Sequence, residues 1–356
     1  MIRRTHAIAA LIGTGLVLGA AATARAELTV MSFNIRFNNG ISTTQPTDWR
    51  YACGPRSTRA VNTIEAFDPD ILGVQEALVN QMNDLGDSMP QYLSYGVGRD
   101  DGGILGEFSG IFYRASRFSL LDSGTFWLSA TPNVPGSKWP GSGSIRIASW
   151  VILGDLAAGG DYFVLNTHWD NVCSSCNLMS ASLVRDKIDE LSGGLPIIVL
   201  GDLNQSETSN PLEELRGEND PGGFQLIDAY RAVFPVVDPN EATFHGFNGG
   251  TAGSRIDHIV ATNAFTPLDA SIDHASFSCG YPSDHYPVTA NFDEPGTGPA
   301  APAPGVPADP CDSQCTPPSC APVAAGGASA RAEGAWVVIA GLSIFAIGRR
   351  ARRARP

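Results

Sequence analysis

"IIVLGDLN", Ile197 to Asn204, decides how this chain is read. Its first four residues are apolar without a break, so a strand here has no polar face and is buried on both sides. Polar chemistry then appears at its end, as Asp202 and Asn204. The same form recurs in "LTVMSFN" (28–34), closing on Asn34, in "ILGVQE" (71–76), closing on Glu76, and in "YFVLNTH" (162–168), closing on His168. Further strands are expected at 109–114, 145–153, 255–261 and 285–292. Helical spacing places Val61, Ile64 and Phe67 on one face of 57–67, and Leu183, Ile188 and Leu191 on one face of 179–191. Buried strands alternating with helices predict one large α/β domain. The stretch 122–144 is rich in Gly, Pro and Ser and reads as long loops. No internal repeat is visible.

The ends differ from this body. Residues 1–26 carry Arg3 and Arg4, an apolar run from Ala7 to Ala22, and Ala24-Arg25-Ala26. That is the pattern of a cleavable secretory signal peptide, and the run is short for a membrane span. The body extends over 27–294. A Pro/Ala/Gly linker with three cysteines follows over 295–333, and then an uncharged apolar stretch, Gly334 to Gly348, with a basic end at Arg349 to Arg355. Four cysteines, Cys53, Cys173, Cys176 and Cys279, lie in the body, an even number suited to an oxidising compartment. The "CSSC" pair reads as a local bridge or two idle thiols.

The 356 residues are 43% hydrophobic and 17% charged, with a formal charge of −13. Between Glu27 and Glu294 there are 14 Lys plus Arg against 33 Asp plus Glu, a net −19. Polyanions bound through their phosphates need a basic surface, because counterion release drives that binding. Avid non-specific nucleic-acid binding is therefore not expected, and phosphate chemistry here would depend on a metal and local residues.

The polar residues at strand ends form one constellation: Asn34, Glu76, Asn166, His168, Asp170, Asp202, Asn204, Asp257, Asp284 and His285. Each alone has a bland explanation: a loop start, an Asx turn in "GDLN", a satisfied histidine. Together they gather where ligands of α/β sheets collect. Carboxylates and an amide suit a hard divalent cation such as Mg²⁺, and an imidazole beside a carboxylate suits acid–base work. Phosphate loops, HExxH and GxSxG are absent from the sequence, which removes support for nucleotide kinases, zincins and α/β-hydrolases.

The ordered set "FNIR", "QEAL", "NTHWD", "GDLN", "RIDHI" and "SDHYPV" resembles the endonuclease/exonuclease/phosphatase superfamily, the DNase I-like fold, over about 28–293. It looks closest to secreted bacterial members and is more distantly similar to the branch of CCR4-type deadenylases and nocturnin. The resemblance implies a four-layer α/β sandwich of two packed mixed β-sheets flanked by helices. It implies a metal-dependent hydrolase of phosphodiesters or phosphomonoesters, with a nuclease as the alternative. Glu76 would ligate Mg²⁺ (or Mn²⁺), with Asn34 and Asp284 beside it. Asp202 and Asn204 would position the attacking water and a phosphate oxygen, His168 would donate to the phosphoryl group, and Asp257 would orient His285. Either Asp202 or His285 would take the water's proton. Trp169 would stack on a base or sugar, or only pack. A non-catalytic surface module keeping the fold is the competing class.

The tail resembles the tripartite C-terminal sorting signals of some bacterial surface proteins, the myxobacterial type in particular. Fifteen residues from Gly334 to Gly348, at about 1.5 Å each, reach roughly 22 Å, short of a bilayer core of about 30 Å. The expected protein is an exported monomer held at the cell envelope membrane through this tail, or released from it, acting on a phosphorylated substrate of unassigned class.

Overall fold

Strands that are apolar on both faces must be covered on both faces, and the chain meets this demand with two sheets and two layers of helices. The computed structural model describes residues 27–38 and 42–294. Its elements run β1 (Leu28–Asn34), α1 (Arg56–Phe67), β2 (Ile71–Ala77), α2 (Val79–Ser88), β3 (Tyr92–Tyr95), β4 (Phe108–Arg114), β5 (Phe118–Trp127) and β6 (Ile147–Asp155). They continue β7 (Asp161–His168), α3 (Ser174–Leu191), β8 (Ile197–Asp202), α4 (Asn210–Arg216), β9 (Leu226–Asp228), α5 (Ala229–Val233), β10 (Asp257–Thr262), β11 (Thr266–Ile272) and β12 (Val288–Asp293). The signal-peptide, linker, cysteine-cluster and tail segments expected at 1–26 and 295–356 lie outside the described residues. Among the described residues no helix is long and apolar enough to cross a membrane.

One sheet has the order β11-β12-β1-β2-β4-β3 and the other β5-β6-β7-β8-β10-β9. Period-two alternation divides each strand between two cores. Leu28 and Val30 of β1 face Ile198 and Leu200 of β8 in the core between the sheets. Met31 and Phe33 turn outward onto Ala60 and Ile64 of α1 and Leu85 of α2. Ile197 and Val199 turn outward onto Ala181, Val184 and Ile188 of α3. The result is helix, sheet, sheet, helix, the four-layer sandwich expected. At Gly73 the sheets approach so closely that a Cβ would overlap the Leu200 side chain and crowd Asn166.

The two sheets repeat one topology, although the sequence shows no repeat. In each, a parallel pair joined by a helix (β1 with β2, β7 with β8) continues through a second helix into an antiparallel pair (β4 and β3, β10 and β9). A hairpin closes the other side of each, β11–β12 on β1 and β5–β6 on β7. The repeat lies in connectivity, which different side chains support equally well.

Two expectations need correction. The stretch 122–144 is not all loop: β5 runs to Trp127 and pairs with β6. Its alternation is broken by a bulge between Leu120 and Asp122, and both leucines 120 and 121 are exposed, so it lacks a buried strand's pattern. The last strand begins at Val288, not at His285, which instead makes an isolated bridge to Phe244.

Candidate active site

The site lies where both parallel pairs end. Asp202, the last residue of β8, stands opposite His168 in the parallel ladder and opposite Asp257 in the antiparallel one. Asn34 ends β1 beside Gln75 of β2. Counting by twos, Asn34 continues the inward face of Leu28 and Val30, Asp202 that of Ile198 and Leu200, and Asp257 that of Ile259 and Ala261. Alternation therefore delivers these side chains to one rim between the sheets. Asn34 Nδ2 donates to Asp202 Oδ2 at 2.9 Å, directly joining the two sheets.

Glu76 breaks the rule. It shares the outward parity of Leu72 and Val74, yet its Oε1 accepts from Asn34 Nδ2 at 3.1 Å. A register shift between Val74 and Ala77 and a left-handed backbone at Glu76 (φ 61) turn it into the site. Such a conformation is disfavoured for a residue with a Cβ, and it persists only where the surroundings enforce it. Asn166, on β7, supplies part of that enforcement. Its Nδ2 donates to Val74 O (2.9 Å) and Gly110 O (2.7 Å), while its Oδ1 accepts from Gln75 Nε2 (2.7 Å). Arg36 and Asn204 are left-handed too, with φ 53 and 49.

Glu76 and Asp284 share one guanidinium. Arg36 Nη1 lies 3.2 Å from Glu76 Oε2, and Arg36 Nε lies 3.5 Å from Asp284 Oδ2. Burial and the nearby Glu76 charge raise the pKa of Asp284. Two carboxylates that already gather round one cation, beside an amide, form a donor set that fits a hard divalent ion at Glu76, Asp284 and Asn34. Asp202, Asp257 and His285 also place ligand atoms within 4.8 Å of one another.

His285 Nδ1 is 2.9 Å from Asp257 Oδ2, and its Nε2 is 3.7 Å from Asp202 Oδ2. Burial opposes a charge on this ring, but the carboxylates of Asp257 and Asp202 outweigh it and push its pKa up to about 10. Burial, reinforced by Asp257, pushes Asp202 up to about 7. Asp202 Oδ1 accepts from the Asn204 backbone N–H at 3.0 Å. His168 Nε2 lies 3.4 Å from Asp202 Oδ2. Burial and the charges of Arg146 and Arg99 hold His168 well below the usual imidazole range, so it is neutral.

The structure thus brings together Asn34, Glu76, His168, Asp202, Asn204, Asp257, Asp284 and His285. Trp169 stands apart. It is fully buried in the core beneath α3, with Phe163 and Leu165, and packs rather than stacks on a substrate. Asp170 accepts from Ser142 Oγ and from the N–H groups of Ser144, Val172 and Cys173, which fixes the entry to α3. Cys173 and Cys176 are bridged there, and Cys53 and Cys279 are disulfide-bonded as well. Sequence reading missed two arginines, Arg36 and Arg146. Arg36 was present within "FNIR", and Arg146 was the lone charge in "IRIASWVIL".

The Endonuclease/Exonuclease/phosphatase family matches residues 31–285. The chain belongs to this family. It is an enzyme, a hydrolase of phosphoester bonds. A family protein from Bacteroides vulgatus is 33% identical, covering 76% of this chain and all of its own, with a TM-score of 0.68. The mannosyl-6-phosphatase Bt3783 of Bacteroides thetaiotaomicron VPI-5482 is 31% identical over 74% of this chain and 99% of its own, at 0.66. The human nocturnin catalytic domain, 19% identical over 76% and 96%, shares the fold at 0.58. Among curated proteins none matches.

Proposed function

We propose that the chain is an exported, Mg²⁺- or Mn²⁺-dependent phosphoesterase in which Asp202 activates water. The observation that carries this reading is the His285–Asp257 contact beside Asp202. An imidazole held protonated to about 10 is already charged at neutral pH and has no lone pair for the water's proton, whereas Asp202, at about 7, accepts one readily. Asn204 positions the water and a phosphoryl oxygen. His285 and neutral His168 donate to oxygens of the phosphoryl group as charge spreads over them. Glu76, Asp284 and Asn34 hold the divalent ion, which supplies Lewis-acid polarisation of the phosphate.

The likeness to a mannosyl-6-phosphatase supports a phosphorylated sugar as substrate. A cavity of about 300 Å³ lined by Arg36, Phe37, Thr47, Asp48, Phe247 and Asp284 adjoins the acidic pair and has room for such a ring. The nuclease alternative is disfavoured by the acidic body. Export rests on the leader-like 1–26 and the bridged cysteines, and envelope attachment on the tail pattern of 334–356. Mass spectrometry of the native protein tests both, and an uncleaved chain recovered from the cytoplasm would reject them. The activity itself is tested with the full chain on p-nitrophenyl phosphate, bis-p-nitrophenyl phosphate, sugar phosphates and single-stranded DNA. Metal-dependent hydrolysis abolished by EDTA is expected. Absence of turnover on all of them with either metal would overturn the reading.

A further inference from the structure

Arg146 lies just before β6, next to the end of β7, and is 7% exposed. Its Nε and Nη1 have no hydrogen-bond partner, and it makes no ion pair among the described residues. Neighbouring Arg99 is different, since Glu107 answers its charge at 2.6 Å. Burying a guanidinium without a partner is strongly unfavourable, and folding has nevertheless placed one here. Together with Arg99, Glu107, Ser109 and His168 it lines a recess of about 10 Å³, room for about one water-sized group. His168 Nδ1 is also without a partner. Two unused guanidinium donors, Arg146 Nε and Nη1, at the edge of a hydrolytic centre fit an oxygen that carries negative charge.

Asn34 ties Glu76 to Asp202 at the metal-binding edge, His285 and His168 lie 3.7 and 3.4 Å from Asp202 Oδ2, and His168 is shared with the Arg146 recess. A phosphomonoester dianion has three non-bridging oxygens, while a diester has two and a single negative charge. On the phosphoesterase reading above, we infer that Arg146 receives the third non-bridging oxygen and makes this centre select dianionic phosphomonoesters over monoanionic diesters. A site built to pair a given group discriminates strongly against a substrate that lacks it, because the site's own polar atoms are then left unpaired.

The test compares kcat/KM for p-nitrophenyl phosphate and bis-p-nitrophenyl phosphate in the full chain, its Arg146→Lys and its Arg146→Gln variants, and the Kd of inorganic phosphate by calorimetry. Wild type prefers the monoester. Either substitution lowers monoester kcat/KM by roughly ten- to hundredfold, the range of one charge-assisted hydrogen bond, and weakens phosphate binding in parallel. The diester rate changes by less than about threefold, well under that range. Arg146→Lys keeps the charge and serves should the glutamine variant not fold. Equal losses on both substrates, an unchanged phosphate Kd, or a wild type that prefers the diester would overturn the inference. If wild type hydrolyses neither aryl ester nor the sugar phosphates and DNA tested above, the phosphoesterase reading fails, and the phosphate Kd still judges the Arg146 contact.

Discussion

Asp257 stands opposite Asp202 in the β8–β10 ladder, but its Oδ2 turns to His285 Nδ1 at 2.9 Å. A carboxylate from one strand thereby sets the ring of a residue 28 positions later in the chain. The neighbouring Asp284 faces Arg36 instead, so the adjacent acid and histidine of "SDH" serve two different edges of the site. If Asp257 and His285 act as a unit, Asp257→Asn costs about as much rate as His285→Ala, on the order of 10³-fold, and the double variant adds little. Multiplying losses in steady-state kinetics would show that the two act separately.

The electrostatics of the pair define a pH profile. Asp202 must be ionised to accept a proton, and with its pKa pushed up to about 7 the rate rises with pH through that value. His285 must stay protonated to donate, and with its pKa pushed up to about 10 the rate falls as pH passes it. A bell-shaped kcat/KM with limbs near these values is expected, and the limbs belong to the coupled group rather than to either residue alone. Asp257→Asn removes the carboxylate that holds the proton on His285, so the alkaline limb moves down. A limb that stays in place in that variant would contradict the assignment.

Backbone strain at Glu76 gives a prediction that separates stability from activity. Its φ of 61 is disfavoured for a residue with a Cβ and easy for glycine. Relative to Glu76→Ala, which loses the same contacts to Asn34, Arg36 and Phe37 but keeps the strain, Glu76→Gly is more stable by about 0.5–1 kcal/mol in metal-free buffer, and both remove metal-dependent turnover. Glu76→Gln keeps the strain and also loses turnover. Thermal unfolding and metal titration of these variants decide the matter, and full metal affinity in any of them would exclude Glu76 as a ligand.

Most of the site was legible because alternation carries it. Asn34, His168, Asp202 and Asp257 each continue an inward-facing series that begins with apolar residues, and their strands read plainly as buried. The same arithmetic puts Trp169, one position past His168, on the outward face, where it packs under α3. Glu76 was legible as a strand end, but not in how it reaches the site, because a bulge reverses its face. Arg146 was hidden because a charged residue entering an apolar strand looks like a strand boundary, and only the fold shows that no carboxylate pairs with it among the described residues. The repeated topology could not be read at all, since pairing order leaves no trace in residue identity.

Asn166 tests whether one sheet holds the other's metal edge in place. From β7 it bonds the carbonyls of Val74 and Gly110 and the side-chain amide of Gln75, all in the opposite sheet, at the cross-strand pair where the bulge that turns Glu76 inward begins. Asn166→Ala leaves two buried carbonyls without that donor, at about 1–3 kcal/mol each. A total near 3 kcal/mol lowers Tm by roughly 6–12 °C in a domain of this size. With the clamp gone, Glu76 relaxes toward its own outward face. The Mg²⁺ concentration for half-maximal activity then rises at least about tenfold, the effect typical of losing a group that orients a ligand, and saturating metal restores most of kcat. Gln75 retains bonds to Ser32 and Gly73 and keeps the strand in register, so circular dichroism should report a folded protein. A variant that loses stability but keeps its metal dependence unchanged would show that Asn166 braces the sheets without positioning Glu76.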